Sequence, residues 1–310
     1  MTVTKTLLAA LAAAAFSGPA LAGPIVIAGT DADDHGSFNG TVNTTGWLFM
    51  QRAFENLAPA VSNGSKVAVC IGCNGSTAQS AFNSAINQST LIGAGWTTAN
   101  LTSTADISGF FDGTGARNTT NSGILYMPTV SGNVGGGIDD TQLRIVNLNG
   151  AAINNFTVGG GGLFTQEQAN SSIGYGWLTS LLPGIVVNGD NNGAPFDSGT
   201  LNLTAAGTAA FPGLTNADLS NATPWHAYFS GNFGSLSTLV TGPIGRPSSA
   251  LGAVVLGGGG GGAIICGTPG APACPPIPGV PEPGVWMLMI AGFGFVGAAM
   301  RPTGRRFATA

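Results

Sequence analysis

Four of the six residues in the stretch 31–36 (DADDHG) carry ionisable side chains. Carboxylates this close repel one another unless a cation, a helix N-terminus or hydrogen bonds compensate. Hard cations bind clustered carboxylates, so Asp31, Asp33 and Asp34 are candidate calcium ligands. The spacing is not that of an EF-hand loop, because Val42 rather than a glutamate occupies the twelfth position. The other interpretation, in which these aspartates cap turns or are solvated and no cofactor binds, stays open.

Histidine occurs only at His35 and His226, and either ring could act as a base oriented by a nearby carboxylate. If the fold brings them together, Asp33 and Asp34 would join both histidines in a hydrolase or metal-dependent site. His35, His226 and Asp34 are therefore the candidate catalytic residues. The alternating apolar pattern around His226 also fits a hydrogen-bonded structural histidine on a strand edge. Two histidines with distant carboxylates make a poor zinc site.

Short apolar runs alternate with amphipathic segments along the middle of the chain, which predicts strands separated by helices. Such alternation implies a mostly parallel sheet covered on both faces, and we predict an α/β fold, a flavodoxin-like three-layer sandwich. The predicted strands are residues 24–29, 66–71, 123–128, 156–158, 184–187, 201–204 and 235–240; the predicted helices are 46–58, one from Ser76 with a capping box to Gln79, and 148–155.

The segment 156–168 reads as a strand that enters a run of four glycines, followed by a turn or helix opened by Thr165. Together with Pro224-Trp225-His226 near the last strands, it resembles the class I glutamine-amidotransferase-like group. In that family the strand-to-helix turn carries a cysteine nucleophile activated by a histidine. Glycines occupy the turn here, so the resemblance implies the fold without the hydrolytic mechanism.

The N-terminal residues are typical of a secretory signal peptide. Lys5 precedes an apolar run over residues 7–16, and Ala20-Leu21-Ala22 has the small-x-small form of a cleavage site. We expect cleavage after Ala22, which places the rest of the chain outside the cytoplasm.

The C-terminal residues predict a membrane helix. Residues 284–300 contain no charge, and as a helix they would reach about 25 Å, the short end of a bilayer crossing. Arg301, Arg305 and Arg306 follow, and basic residues favour the cytoplasmic side.

Pro281-Glu282-Pro283, Trp286, the apolar helix and the terminal arginines together resemble the PEP-CTERM sorting signal. Some catalogues give the same tail as an ice-binding protein C-terminal domain, although nothing in these residues binds ice. The resemblance implies a bacterial exported protein that is anchored transiently in the inner membrane. It further implies cleavage by an exosortase and release to the cell surface or an exopolysaccharide matrix, with signal peptidase and the exosortase as processing partners.

The four cysteines form two closely spaced pairs, Cys70 with Cys73 and Cys266 with Cys274. In an exported protein these are disulfide candidates, although spacing alone does not define the pairing. The first pair has the spacing of redox proteins, but no thioredoxin-like neighbours accompany it. We expect a structural disulfide or buried thiols.

The composition excludes several classes of partner. Between the predicted signal peptide and sorting motif the chain keeps five basic and twelve acidic residues, which argues against binding nucleic acid. Proline and glycine dominate residues 243–279, which we interpret as a linker between an exported domain (23–242) and the sorting signal (280–306). Within this linker, residues 250–256 are apolar enough to form a strand. The favoured function is that of a non-catalytic surface or matrix protein, and the enzyme using the aspartates and histidines above is the alternative.

Overall fold

The computed structural model describes residues 24–132, 134–167, 173–189, 200–220, 227–244 and 250–259. All belong to the first of two compact units, Met1–Ala263, and the second unit, Ile264–Ala310, lies outside the described residues. The predicted signal peptide, sorting motif and membrane helix, together with His226, Cys266 and Cys274, also lie outside them. Within the ranges above, none of the helices combines the length and the apolar character that a bilayer crossing requires.

Ten of the described strands form one sheet, and the other two form a hairpin. The strands are β1 (Ile25–Ala28), β2 (Gly36–Phe38), β3 (Asn43–Thr44), β4 (Val67–Ile71), β5 (Thr97–Leu101), β6 (Ile124–Met127), β7 (Gly162–Gln166), β8 (Ile185–Gly189), β9 (Asn202–Leu203), β10 (Ala227–Gly231), β11 (Ser237–Pro243) and β12 (Leu251–Gly258). The sheet order is β5-β4-β6-β7-β1-β12-β10-β8, with β11 pairing β12 and β9. The first five of these strands are parallel, and the remainder pair antiparallel.

Helices cover both faces of the sheet, so the predicted α/β architecture with three layers is confirmed. The helices are α1 (Thr45–Leu57), α2 (Thr77–Asn87), α3 (Thr104–Asp112), α4 (Asp140–Leu148), α5 (Gly150–Val158), α6 (Gly176–Leu181), α7 (Ala205–Ala210) and α8 (Asn216–Ser220), with a short 3-10 turn at Ala58–Ala60. The apolar cluster on one face includes residues of α1 and α2, and the cluster on the other includes residues of α3 to α6. Alternate residues of the buried strands supply each cluster, as the two-residue period of a strand requires.

The order of the parallel strands differs from the flavodoxin order. In that order the first strand lies between the second and the third. Here β1 lies beyond β7, and β4 pairs directly with β6.

The antiparallel extension of the sheet that starts at β12 was not predicted, and it shows that the domain boundary placed at residue 242 was too early. β12 pairs with β1, β10 and β11, so the sheet continues to Gly258.

The glycine run 159–162 ends a helix instead of following a strand. Residues 156–158, predicted as a strand, are the last turn of α5, and Gly160 adopts a positive φ of 89° after it. A left-handed glycine is a common way to end a helix. Thr165, predicted to open a helix, lies inside the fully buried strand β7.

Cys70 and Cys73 form a disulfide, which confirms one candidate pair. Both cysteines are fully buried, Cys70 at the end of β4 and Cys73 in the loop that follows it. A buried disulfide is inaccessible to a protein thiol, so the structural interpretation is preferred to redox activity.

Phe54 on α1 is the centre of the larger apolar cluster. Its ring contacts those of Phe82, Tyr126 and Phe164, with ring centroids 5.7, 5.6 and 5.3 Å away. These three residues come from α2, β6 and β7, so one side chain joins two helices to the middle of the sheet.

We predict that Phe54→Ala lowers the free energy of unfolding by about 3–5 kcal/mol, because it removes a fully buried ring and leaves a cavity. Urea unfolding followed by circular dichroism measures this. Leu148→Ala is the matched control, since that side chain is 86% exposed, and it should change stability little. Equal effects of the two substitutions would contradict the assignment of the core.

Candidate functional site

Part of the loop after β6 is hydrogen-bonded across the usual ligand crevice of this sheet. Open α/β sheets bind ligands outside the carboxyl ends of their strands, where the chain reverses its direction across the sheet. Here the chain runs from β1 to β4 and β5 and then returns to β6 and β7, so that point lies between β4 and β6. Residues 129–132 and 134–138, which follow β6, lie there, and the carbonyls of Gly135 and Gly136 accept hydrogen bonds from the N–H groups of Ala78 and Asn74.

The same contacts explain why the predicted capping box at the start of α2 is wrong. The Ser76 side chain makes no capping hydrogen bond. The N–H of Ala78, in the first turn of α2, is instead satisfied by the Gly135 carbonyl at 3.1 Å. The reactive side chains that remain at this edge of the sheet therefore lie at the ends of β1 and β7.

Asp31, Asp34 and His35 come together in the loop that follows β1. The His35 Nε2 atom lies 3.3 Å from Asp31 Oδ2 and 3.8 Å from Asp34 Oδ2. One potential ligand atom from each of the three side chains lies within 4.8 Å of the others. The Asp31 side chain is buried, whereas those of His35 and Asp34 are about one-third exposed (38% and 34%).

The neighbouring carboxylates favour the charged form of His35. The contact with Asp31 raises the pKa of His35 above its usual value, partial burial opposes this, and the charges of Asp34 and Asp33 add to the rise. The pair therefore stabilises the fold fully below the ordinary histidine pKa of about 6.5, and this contribution is lost as the pH rises through the raised pKa. Wherever His35 is protonated, the cluster is an ion pair flanked by a second carboxylate.

Asp33 points away from that cluster and is fully buried. Its Oδ1 atom accepts a hydrogen bond from the Thr129 hydroxyl at 2.6 Å, and its Oδ2 atom accepts from the Thr129 N–H at 2.9 Å and the Tyr126 hydroxyl at 3.3 Å. Burial raises the pKa of Asp33 to about 6, against the opposite effect of the Thr129 hydrogen bonds. Asp33 therefore anchors the loop and is not placed to join Asp31 and Asp34 as a ligand.

Gln166 at the end of β7 extends this buried network. Its Nε2 group donates to the Tyr126 hydroxyl at 2.6 Å, and its Oε1 atom accepts from the Ala32 N–H at 2.7 Å and from the Thr30 hydroxyl at 3.2 Å. The β1 loop is thus hydrogen-bonded to both β6 and β7.

The first turn of α1 fixes the other side of the loop. The His35 carbonyl accepts hydrogen bonds from the Thr45 hydroxyl and the Gly46 N–H, and the Trp47 indole donates to the Asp33 carbonyl. A side chain at Gly46 would lie 2.3 Å from the Ala32 carbonyl oxygen, so this close approach requires glycine. The cluster is therefore held on a rigid support.

Glu167 is a reactive residue that the sequence reasoning missed. It follows β7 directly, is 1% exposed, and its N–H donates to the Ala28 carbonyl of β1 at 2.6 Å. Burial raises the pKa of Glu167 to about 8, and the neighbouring Thr165 hydroxyl acts in the opposite direction. The signal for this position is weak, because Leu163 and Phe164 are the only large apolar residues of the strand that precedes Glu167, and the strand misplaced at 156–158 concealed it.

The strand misplaced at 156–158 also put the predicted amidotransferase-like turn at residues 159–162, whereas β7 ends at Gln166. The residues at the end of β7 are Gln166 and Glu167, neither of which is a cysteine or serine. Among the described residues other than glycine, Thr45 has a positive φ, and neither residue at the end of β7 does. The strained turn that exposes a nucleophile in that family is therefore not formed by these residues.

Of the predicted site residues, the structure brings Asp31, Asp34 and His35 together and separates Asp33 from them. His226 lies outside the described residues, so its convergence with the cluster stays a prediction. Its neighbour in the sequence, Ala227, donates its N–H to the Gly29 carbonyl at 3.0 Å. No family model matches the chain, and no match was found among the curated proteins or the solved structures.

We predict that Asp31→Asn lowers the pKa of His35, because it removes the partner that raises it most. Titration of the His35 ring protons by NMR measures the change. Asp34→Asn should have a smaller effect, since its carboxylate is farther away and more exposed. Asp106→Asn, on α3, is the control and should leave the titration unchanged. A larger effect of Asp34→Asn than of Asp31→Asn would contradict the geometry.

Proposed function

We propose that this is an exported bacterial protein, anchored transiently in the inner membrane and then released by an exosortase to the cell surface or an exopolysaccharide matrix. In this proposal its α/β domain is a display or binding module without catalytic activity. Signal peptidase and the exosortase are its processing partners, and exopolysaccharide is a candidate partner of the released form.

The observation that carries the proposal is the position at which the chain enters and leaves the domain. Ile25, at the start of β1, pairs with Gly258, at the end of β12. Both ends of the described domain therefore lie at the edge formed by the amino ends of the parallel strands. Asp31, Asp34 and His35 follow the opposite end of β1, so an anchor that continues from β12 would attach at the edge away from them.

Two further features support export. The sequence outside the described residues carries the signal-peptide pattern at one end and the Pro281-Glu282-Pro283 motif with its apolar and basic residues at the other. Within the domain, the Cys70–Cys73 disulfide suits an oxidising compartment, because disulfides persist there and are rare in the cytosol.

We predict that replacing Pro281, Glu282 and Pro283 together by alanine leaves the protein membrane-bound and uncleaved. Intact mass and cell fractionation in the native host measure this, with an exosortase-deficient strain beside it. Replacing Pro275 and Pro276 by alanine is the matched control in the preceding linker and should leave processing unchanged. Release of the motif variant at the control level would contradict the sorting proposal.

The cluster in the β1 loop favours a second candidate function, the binding of a divalent cation. Asp31, Asp34 and His35 offer ligand atoms within 4.8 Å of one another, and oxygen-rich sets of this kind suit Ca²⁺ while the imidazole also suits transition metals. The proposed ligand set differs from the one predicted from the sequence, because Asp33 is committed to Thr129 and Tyr126. A bound cation would compete with the proton for His35, because a ligating imidazole must be neutral. This holds for a structural cation and for the cation of a metal-dependent enzyme.

We predict that Ca²⁺ or Zn²⁺ binds the purified protein and that at pH 6, below the raised pKa of His35, binding releases a proton from that ring. Calorimetry in buffers of different ionisation enthalpy measures both the affinity and the proton count. Asp34→Asn should weaken binding by about tenfold or more, on the scale reported for metal-site substitutions. Asp140→Asn, an exposed aspartate on α4, is the control. Absence of binding at millimolar cation, or an equal affinity of Asp34→Asn and the wild type, would contradict this candidate function.

A further inference from the structure

Three buried polar side-chain atoms on one side of the sheet have no hydrogen-bond partner among the described residues. They are Glu167 Oε2, Thr165 Oγ1 and Trp177 Nε1. Thr165 and Trp177 are fully buried and Glu167 is 1% exposed. Buried polar groups are satisfied in the large majority of cases, so each unpartnered one requires an explanation such as a bound ion, water or ligand.

The three side chains belong to one side of the sheet. Leu163, Thr165 and Glu167 alternate along and just beyond β7, and Leu163 packs into the same apolar cluster as Trp177 of α6. The Thr165 hydroxyl is near enough to act on the pKa of Glu167, yet it does not reach hydrogen-bonding geometry with it. The backbone of Trp177 is fixed, because its N–H donates to Asn147 Oδ1 at 3.1 Å.

We propose that Glu167, Thr165 and Trp177 bind a neutral oxygen ligand, either a water molecule or the hydroxyl or carbonyl group of a small molecule. The site is separate from the Asp31–Asp34–His35 cluster and independent of the proposed export. An indole N–H only donates, a hydroxyl both donates and accepts, and a carboxyl group that keeps its proton also donates. One oxygen atom with two lone pairs satisfies two of these donors.

The surrounding charges favour a neutral ligand over an ion. Burial keeps the Glu167 carboxyl protonated at neutral pH. The indole N–H of Trp177 would repel a cation, while the charge of Asp33 opposes an anion in this region. Tyr175, which packs against the same apolar cluster, has a pKa raised well above its usual value, chiefly by burial, so it too stays neutral. A buried carboxylic acid kept neutral in this way can serve as a hydrogen-bond donor.

Thr165→Val provides the first test, because valine keeps the shape of threonine and removes only the hydroxyl. If the hydroxyl binds a ligand, the melting temperature of the mature exported protein should fall by about 2–4 °C, the shift that about 1 kcal/mol gives in a domain of this size. If the hydroxyl is merely unsatisfied, its removal should raise the melting temperature, and that result would overturn the proposal. Thr157→Val is the matched control, since the Thr157 hydroxyl already donates to the Asn154 carbonyl. This variant measures how far the loss of a satisfied threonine hydroxyl lowers the melting temperature.

A crystal structure of the mature protein near pH 6 gives the second test and separates the two sources of the oxygen. A single spherical density within hydrogen-bonding distance of Glu167 Oε2 and Thr165 Oγ1 identifies water. Larger density, matched by a compound released on denaturation and seen by mass spectrometry, identifies a small molecule. Protein side chains filling these positions, with no density between them, would overturn the proposal whatever the melting temperatures show.

Discussion

The arrangement at the carboxyl edge of the sheet depends on one buried carboxylate, that of Asp33. It accepts hydrogen bonds from Thr129 and Tyr126, which belong to β6 and the loop after it. Burying a carboxylate costs several kcal/mol unless hydrogen-bond donors compensate. The loop that carries Asp33 is therefore fixed beside its donors. Its sequence neighbours Asp31, Asp34 and His35 are positioned as a consequence.

The rest of the fold makes that anchoring possible. β1 lies between the parallel strand β7 and the antiparallel strand β12, so the loop after it emerges near the middle of the sheet. Phe54 and its aromatic neighbours hold α1 against the same strands, and the first turn of α1 fixes the other side of the loop. The chain enters and leaves the described part of the domain at the opposite edge of the sheet.

Local patterns predicted much of the fold but not its long-range pairing. The apolar stripe of α1 and the buried runs of β4 and β6 have clear periodicity, and the structure contains all three. β5 was missed because its polar sequence TTANL has no apolar pattern. Residues 250–256 were recognised as apolar enough for a strand, but they were placed in the linker because glycines and prolines surround them, whereas β12 belongs to the sheet. The position of β1 beyond β7 depends on contacts more than a hundred residues apart, which periodicity does not encode. The candidate site shows the same limit of sequence reasoning. Asp31, Asp34 and His35 are neighbours in sequence, so their cluster could be predicted. The partners of Asp33 and the burial of Glu167 arise from tertiary packing and could not.

Amide hydrogen exchange in Asp33→Ala tests the anchoring role most directly, with Asp34→Ala as the neighbouring control. The Gly46 N–H reports on the loop, because it donates to the His35 carbonyl at 3.0 Å. If Asp33 holds the loop, Asp33→Ala should speed exchange at Gly46 by tenfold or more, the factor that corresponds to about 1.4 kcal/mol. Asp34→Ala should leave that exchange close to the wild-type rate. Equal protection of Gly46 in Asp33→Ala and the wild type would show that the loop is held without Asp33 and would contradict the account.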